Sequence, residues 1–317
     1  MCNGLEGLPA AERAVAIGTF DGVHCGHRRV IAAAVDAGAR LGVRSTILTF
    51  DRHPMAVIDP AHQPRLLTPP AEKVRLLAAA GADELLVLEF TRELADMPAE
   101  RFVRDLLVER LRARAVCVGA NFSFGAGGRG TTADLTSAGV ELGFELVVVP
   151  LAESHGRPIS STRIRKLLAE GRLEDVRTIL GRPPSTSGEV VGGWQRGRTL
   201  GVPTANLDVA AGTIFPGRGV YAGRALVDGR WYRTAVNVGH NPTFHDAVEE
   251  TAVVRIEAHL LDFSGYLYGK HIRVDFLHKL RPEEKFDNVD DLVVQMRADI
   301  ELTRSLEDEA YAEAGLA

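Results

Sequence analysis

The sequence predicts two unlike halves: an α/β half with a parallel sheet, then an antiparallel β half closed by one helix. Three observations carry this. Up to about residue 182, short β-rich apolar runs alternate with helical patterns, which requires crossover connections between parallel strands. Beyond the RPPSTSG segment at 182–188, strand-like runs succeed one another with only turn signals between them. The chain's 317 residues also exceed an ordinary single domain and suit two. The boundary is expected at Pro183-Pro184, giving domains 1–182 and 183–317.

In the first half, Ala14–Ile17 reads as a strand and Gly26–Leu41 as a helix. Val43–Phe50 is the next strand and Glu72–Ala80 the next helix. Leu85–Phe90, Ala115–Val118 and Leu146–Val149 continue the strands, with helices near 99–111 and 131–141. In the second half, Val220–Val227, Trp231–Val238, Val253–Leu261 and Ile272–Leu280 read as strands, broken by Asp228-Gly229 and Ser264-Gly265. From Asn288, a plausible N-cap, the residues Val289, Leu292, Val293, Met296 and Ile300 recur at helical spacing. Closely spaced strands with one terminal helix imply an antiparallel barrel or sandwich.

Composition narrows the class. Hydrophobic residues at 45% and charged residues at 25% are globular values, which excludes a disordered or collagen-like chain. No apolar stretch approaches the ~18 residues of a spanning helix, so no membrane partner is expected. The opening MCNGLEGLPAAERA lacks a basic start and an apolar core, so no secretory signal is read. Three cysteines, Cys2, Cys25 and Cys117, form no C-x-x-C pair, which suits a reducing cytoplasm. A net charge of −5 makes nucleic acid an unexpected partner. Residues 183–317 hold 14 basic and 20 acidic side chains, against 23 and 22 before them, a shift that agrees with the boundary.

The first strand runs into Gly18-Thr19-Phe20-Asp21-Gly22-Val23-His24-Cys25-Gly26-His27 and then a helix. A helix start presents unpaired N–H groups and partial positive charge, a ready anion site. Gly26 permits close approach of a phosphate, and His24 and His27 can aim at one oxyanion. There is no G-x-x-x-x-G-K-[ST], so this is no P-loop. A metal pair or structural histidines are the alternatives. A second cluster, Ser160-Ser161-Thr162-Arg163-Ile164-Arg165-Lys166, opens another helix with Ser161 and Thr162 as N-cap candidates. Its cations oppose the helix dipole, a penalty that a bound polyphosphate would reverse. Gly125–Gly130 satisfies G-x-G-x-x-G, yet follows a late strand after six intervening residues, so a mobile glycine loop is expected rather than a dinucleotide fingerprint.

The run GTFDGVHCGH with ISSTRIR resembles the nucleotidyltransferase superfamily with the H-x-G-H signature. With TFDRHP at 49–54 and VGANFSFG at 118–125, it is similar to prokaryotic FAD synthetases. The resemblance implies a Rossmann-like nucleotidyltransferase domain that transfers an adenylyl group from ATP to FMN and releases pyrophosphate. It implies that Gly18, Phe20, Asp21, Gly22, His24, Gly26 and His27 hold ATP. His53, Ser161, Thr162 and Arg165 join them at the nucleotide, with His24, His27 and Arg165 catalytic. Asn121 and Phe124 would face the flavin. Arg52 and Ala120 stand where the family has proline and, commonly, an acidic residue; neither removes a proposed ligand.

In the second half, residues 188–206 are glycine-rich and polar, read from the residues as loop material able to cup phosphates. Thr204 and Asn206 in Pro203-Thr204-Ala205-Asn206 offer hard oxygens suited to Mg²⁺, or form a simple turn. Alternation puts Arg255, Glu257 and His259 on one strand face, which patterning alone assigns to solvent. The segments GWQRGRTLGVPTANL, GVYAG at 219–223, NVGHNPTF at 237–244 and IEAHLLDFSGYLYGKHIRVDFLHKLRPEEKF resemble the riboflavin kinase barrel. This resemblance implies a β-barrel, Thr204 and Asn206 as ligands of Mg²⁺–ATP, and Arg196, Gly197, Arg198 and Gly201 at the ATP. It makes Glu257 the base for the riboflavin 5′-hydroxyl. Together the halves are similar to the bifunctional prokaryotic enzyme, with riboflavin, FMN and ATP as small-molecule partners. A flavin-binding or regulatory protein with silent sites, and an RNA-linked nucleotidyltransferase, are the competing readings.

Overall fold

The structure, a computed structural model, describes residues 2–3, 8–192, 201–239 and 255–313. The chain falls into two compact units, Met1–Ser161 and Thr162–Ala317.

The first unit is built on a parallel sheet of β1 (Cys2–Asn3), β2 (Arg13–Ile17), β3 (Arg44–Phe50), β4 (Glu84–Leu88), β5 (Ala113–Gly119) and β6 (Glu145–Val149). The spatial order is β1-β4-β3-β2-β5-β6, and every pairing is parallel. Strand β2 is central and buried on both faces, as parallel strands covered by helices must be. Its alternation sorts two cores. Ala14 and Ala16 pack with Val30, Ile31 and Ala34 of helix α1 (Cys25–Leu41), where small residues admit a close helix. Val15 and Ile17 pack with Phe102, Leu106 and Leu107 on the other side.

Helix α1 ends at Gly42, whose φ of 68° is the left-handed C-cap that its missing Cβ allows. Helix α2 is Pro70–Ala78, and α3, Thr132–Leu142, starts from a Thr131–Asp134 capping box. The expected helix near 99–111 is a short α-turn, Ala99–Arg101, running into a wider π-type helix, Phe102–Arg110. The chain runs outward from β2 through β3 and β4, then returns to place β5 on the opposite side. The strand order therefore reverses at β2, and the loops after β2 and β5 flank the crevice where such sheets bind ligands.

The second unit begins with helices α4 (Ser161–Glu170) and α5 (Leu173–Leu180). The division at Ser161 precedes the boundary read from Pro183-Pro184, because these helices pack within the second unit. Arg177 forks onto Asp308 at 2.8 Å, and Gly217 N–H donates to the Leu168 carbonyl at 2.9 Å. Ser161 and Thr162, read as N-cap candidates, both lie inside α4.

A short antiparallel pair, β7 (Glu153–Ser154) and β8 (Arg157–Pro158), belongs to the first unit. The strands β9 (Ser185–Val191), β10 (Ala205–Val209), β11 (Gly219–Val227), β12 (Arg230–Gly239), β13 (Arg255–Leu260) and β14 (His271–Arg281) close an antiparallel barrel, resolving the choice between barrel and sandwich. The reading of 188–206 as loop material is corrected at both ends, where β9 and β10 pair with each other. Gly188 is needed there because a Cβ would strike the Asp208 backbone. Helix α6 (Val289–Ser305) starts as expected, with the Asn288 side chain accepting from Asp291 N–H at 2.9 Å. Among the described residues, no helix is long and apolar enough to cross a membrane.

One buried charge fastens the sheet at the end remote from the crevice. Arg13 has no exposed surface; it donates to Glu84 at 2.8 Å and to the carbonyls of Pro9, Ala11 and Leu111. Removing the cation strands three carbonyls and leaves Glu84 to Arg44 at 2.8 Å and Thr46 at 3.0 Å. Arg13→Met is expected to cost about 3–5 kcal/mol in urea unfolding. A cost below about 1 kcal/mol would show that solvent or Arg44 replaces it.

Candidate active sites

In the first unit a cavity of about 470 Å³ opens over the crevice. One end is polar, lined by Gly18, Thr19, Asp21, His24, Gly26, His27, Ser160 and Ser161; the other is aromatic, with Phe50, Phe90, Phe102, Phe122 and Phe124.

The polar end is shaped by backbone held against its preference. Phe20 and Val23 sit at φ 51° and 41°, and Gly22 at 91° completes the turn. Asp21 is buried, and its carboxylate accepts from the N–H groups of Leu67 at 3.0 Å and Thr68 at 3.1 Å. Its carbonyl accepts from the Ser161 hydroxyl at 2.9 Å. Asp21 thus lines the cavity while its carboxylate secures the loop wall. Gly22 supplies the turn and is not in the lining.

His24 caps α1: its Nδ1 accepts from the His27 backbone N–H at 3.2 Å. An accepting Nδ1 puts the neutral ring's proton on Nε2, which becomes a donor. The His24 and His27 rings stack with centroids 3.5 Å apart, and Phe20 meets His27 edge-on. A Cβ at Gly26 would stand 3.2 Å from the His24 ring, so this glycine makes room for the cap. Burial first, and His24 second, hold the His27 imidazole well below its ordinary value of 6.5. His27 Nδ1 is sealed from solvent without a hydrogen-bond partner among the described residues.

His53 also lines the cavity, its Nδ1 accepting from Met55 N–H at 3.2 Å. Thr162 and Arg165 follow Ser161 in the first turns of α4, on the second unit. Arg52 is fixed by Asp51 at 2.7 Å, and Asp51 in turn accepts from Phe90 N–H at 2.9 Å.

At the aromatic end, Asn121 is exposed at the rim and Phe124 is buried against Phe102, with Phe122 stacked alongside at 5.8 Å. The Gly125–Gly130 loop, expected to be mobile, is instead fastened. Phe124 and Gly130 exchange backbone hydrogen bonds at 3.1 and 2.9 Å, and Ala126 N–H donates to Met97. A Cβ at Gly125 or Gly130 would collide with Ala99 or the Phe124 ring, so glycine serves close packing here. Sequence reasoning missed Phe50, Phe90, Phe102 and Phe122; their strand-end and post-strand positions were the available signal. It also missed Lys73, whose buried ammonium donates to the Phe50 carbonyl at 2.6 Å under the same crevice.

In the second unit, strand register assembles a polar row. Asn206 on β10 lies opposite Glu257 on β13, and Glu257 lies opposite Asn237 on β12. Directly opposed residues share a sheet face, while Ala205, Leu207, Ile256, Ala258, Val236 and Val238 are buried on the other. Asn206 Oδ1 is buried without a hydrogen-bond partner among the described residues. Glu257 is half-buried, and burial raises its carboxyl above the ordinary 4.5, with Arg255 opposing. The solvent-facing reading is therefore corrected for Glu257, while Arg255 on the same face is exposed. His259 Nδ1 lies 2.8 Å from the Pro203 carbonyl, which ties the segment ahead of β10 to β13. Thr204 stands one residue before β10 and Gly201 at φ 78° precedes it. Arg196, Gly197 and Arg198 lie outside the described residues.

Residues 9–163 match the family model for FAD synthetase, and residues 180–306 match that for riboflavin kinase. A bifunctional riboflavin kinase/FMN adenylyltransferase of Listeria monocytogenes is 35% identical over 92% of both chains. The Escherichia coli protein of the same description is 36% identical over 95% of this chain and 94% of its own. The chain belongs to the bifunctional riboflavin kinase/FMN adenylyltransferase family. A crystal structure from Streptococcus pneumoniae, described as a macrolide-efflux protein, shares the fold with a TM-score of 0.85 and 31% identity. It covers 96% of this chain and 99% of its own. The family's two segments coincide with the cavity over the parallel sheet and the polar row on the barrel, and their order matches the order expected from the motifs.

The sealed His27 ring gives a direct check. Its imidazole is expected to stay neutral in ligand-free protein as pH falls through 6.5. Unfolded chains take up that proton, so the ring favours unfolding below pH 6.5 and is neutral in effect above it. An NMR titration of His27 with an ordinary midpoint would contradict this burial.

Proposed function

We propose that each unit carries one reaction of the family and that the chain runs them in series. Riboflavin and ATP give FMN and ADP at the barrel; FMN and ATP give FAD and pyrophosphate at the parallel sheet. The observation that supports this best is the barrel row, where a raised carboxyl stands beside an orphaned buried amide oxygen. It lies in one chain with a helix-start pocket of the kind that binds polyphosphate.

At the barrel, Glu257 receives the proton of the riboflavin 5′-hydroxyl as its oxygen bonds to the γ-phosphorus, and the bond to the β-bridging oxygen breaks to release ADP. A carboxylate raised by burial is a better base than an exposed one. Asn206 Oδ1 and the Thr204 hydroxyl are hard donors that fit Mg²⁺, the unmet Oδ1 being the structural reason for the assignment. Mg²⁺ when bound neutralises phosphate charge. Arg196, Gly197, Arg198 and Gly201 complete the ATP side in this reading.

At the parallel sheet, an FMN phosphate oxygen attacks the α-phosphorus and pyrophosphate leaves. The nucleophile is already ionised, so the protein's task is to place donors where charge develops. His24 Nε2–H, His27 and the positive end of the α1 dipole supply them, with His53 and Ser161 at the nucleotide; the family resemblance adds Thr162 and Arg165. Neutral histidines donate without the cost of a buried cation. The aromatic end, with Asn121 and Phe124, suits the flavin ring.

Glu257→Gln is expected to lower FMN formation by at least about 10²-fold while FMN-to-FAD conversion persists. His27→Ala is expected to lower FAD formation by about 10²–10³-fold and spare the kinase. Chromatographic separation of the flavins checks both; equal loss of both steps in folded protein would overturn the division. The kinase rate is also expected to fall on acidification, because protonation removes the base. The midpoint should lie above the ordinary 4.5. A midpoint at or below it would exclude Glu257 as that base.

A further inference from the structure

Beyond the residues assigned above, the barrel face carries a second carboxylate. Gly239 ends β12, two residues after Asn237 and opposite Arg255. It therefore shares the face of Asn237 and Glu257, about 7 Å along the strand from Asn237. A Cβ built on Gly239 would fall on the Glu283 carboxylate, 2.7 Å from its Cδ. A glycine inside a strand marks close approach by another group, and here that group is Glu283.

The carboxylate is held from behind. Glu283 follows Pro282 and Arg281, where proline fixes φ. Arg281 is clamped by Asp299 of α6, with Nε to Oδ1 at 3.0 Å and Nη2 to Oδ2 at 2.8 Å. Arg281 belongs to β14, so the clamp ties the start of this segment to both strand and helix. Glu283 itself is half-buried and makes no hydrogen bond or ion pair within the described residues. A carboxylate that is pre-positioned, partly desolvated and unmet is an acceptor awaiting donors.

We infer that Glu283 binds the hydroxyl groups of the flavin's polyol side chain, and so selects a polyhydroxylated flavin at the kinase site. A carboxylate is an acceptor, which fits hydroxyl donors and disfavours ATP phosphates. Its station along the row from Glu257 matches a chain whose terminal hydroxyl must reach Glu257. This rests on the assignment of the Glu257 face to the kinase reaction.

The test compares wild-type, Glu283→Gln and Gly239→Ala in the full chain, with Glu257→Gln in parallel. Glu283→Gln is expected to raise the riboflavin KM about tenfold or more, hydrogen bonds to a charged acceptor being the stronger kind, while the KM for ATP and the Mg²⁺ dependence stay within twofold. Gly239→Ala, which displaces the carboxylate without removing it, should raise the riboflavin KM in the same way. Lumiflavin, a ring without the polyol, should inhibit wild-type and Glu283→Gln with equal Ki. An unchanged riboflavin KM would overturn the inference. So would a lumiflavin Ki that weakens in step, which would place Glu283 at the ring, or a shifted Mg²⁺ requirement, which would make it a metal ligand. Full kinase activity in Glu257→Gln would instead defeat the underlying assignment of the face, separating the two failures.

Discussion

The turn from β2 into α1 holds Phe20 and Val23 at φ 51° and 41°, conformations that cost an L side chain about 1–3 kcal/mol each. Part of that cost is met within the turn, where Val23 N–H donates to the Phe20 carbonyl at 3.1 Å. The rest is offset by Asp21, whose buried carboxylate grips two backbone N–H groups of residues 67 and 68, and by Ser161, which donates to its carbonyl. His24 finishes the turn by capping the helix with its own ring, and this sets the neutral tautomer and seats His27 in a stack. The proposed adenylyl-transfer site is therefore a consequence of one strained turn placed where the strand order reverses. Its donors face the crevice because the backbone has been bent to aim them.

Such a site accounts for how an acidic chain can bind polyanions. A net charge of −5 gives no general attraction, and burial keeps His27 neutral. Binding then depends on oriented dipoles, from helix-start N–H groups and imidazole N–H, whose reach is short and whose effect is local. The barrel meets the same need differently. Its row of Asn206, Glu257 and Asn237 is set by register across three strands, so a one-residue slip of β13 would turn Glu257 into the barrel core.

Much of this was legible in the sequence because it lies in local pattern. The β2–α1 junction, the parallel strands, the Asn288 cap and the two motif sets depend on periodicity and on residues near one another. Elements governed by distant partners were not legible. β9 and β10 were hidden by glycines that read as loop, yet Gly188 is there to clear Asp208. Asp21 read as a ligand although its carboxylate is committed to residues 67 and 68. Glu257 read as solvent-facing by alternation, since period two separates faces without saying which is covered. The aromatic end of the cavity draws on residues from 50 to 124, a convergence that only the fold creates.

In the proposed scheme two separate sites act in turn, FMN leaving one and entering the other. It is tested most directly by mixing two chains, Glu257→Gln and His27→Ala, each disabled at one site, with riboflavin, ATP and Mg²⁺. Neither chain alone is expected to convert riboflavin to FAD, whereas the mixture is, with FMN detectable before FAD. A mixture as inert as its components, when each remains folded and active in its intact step, would contradict the account.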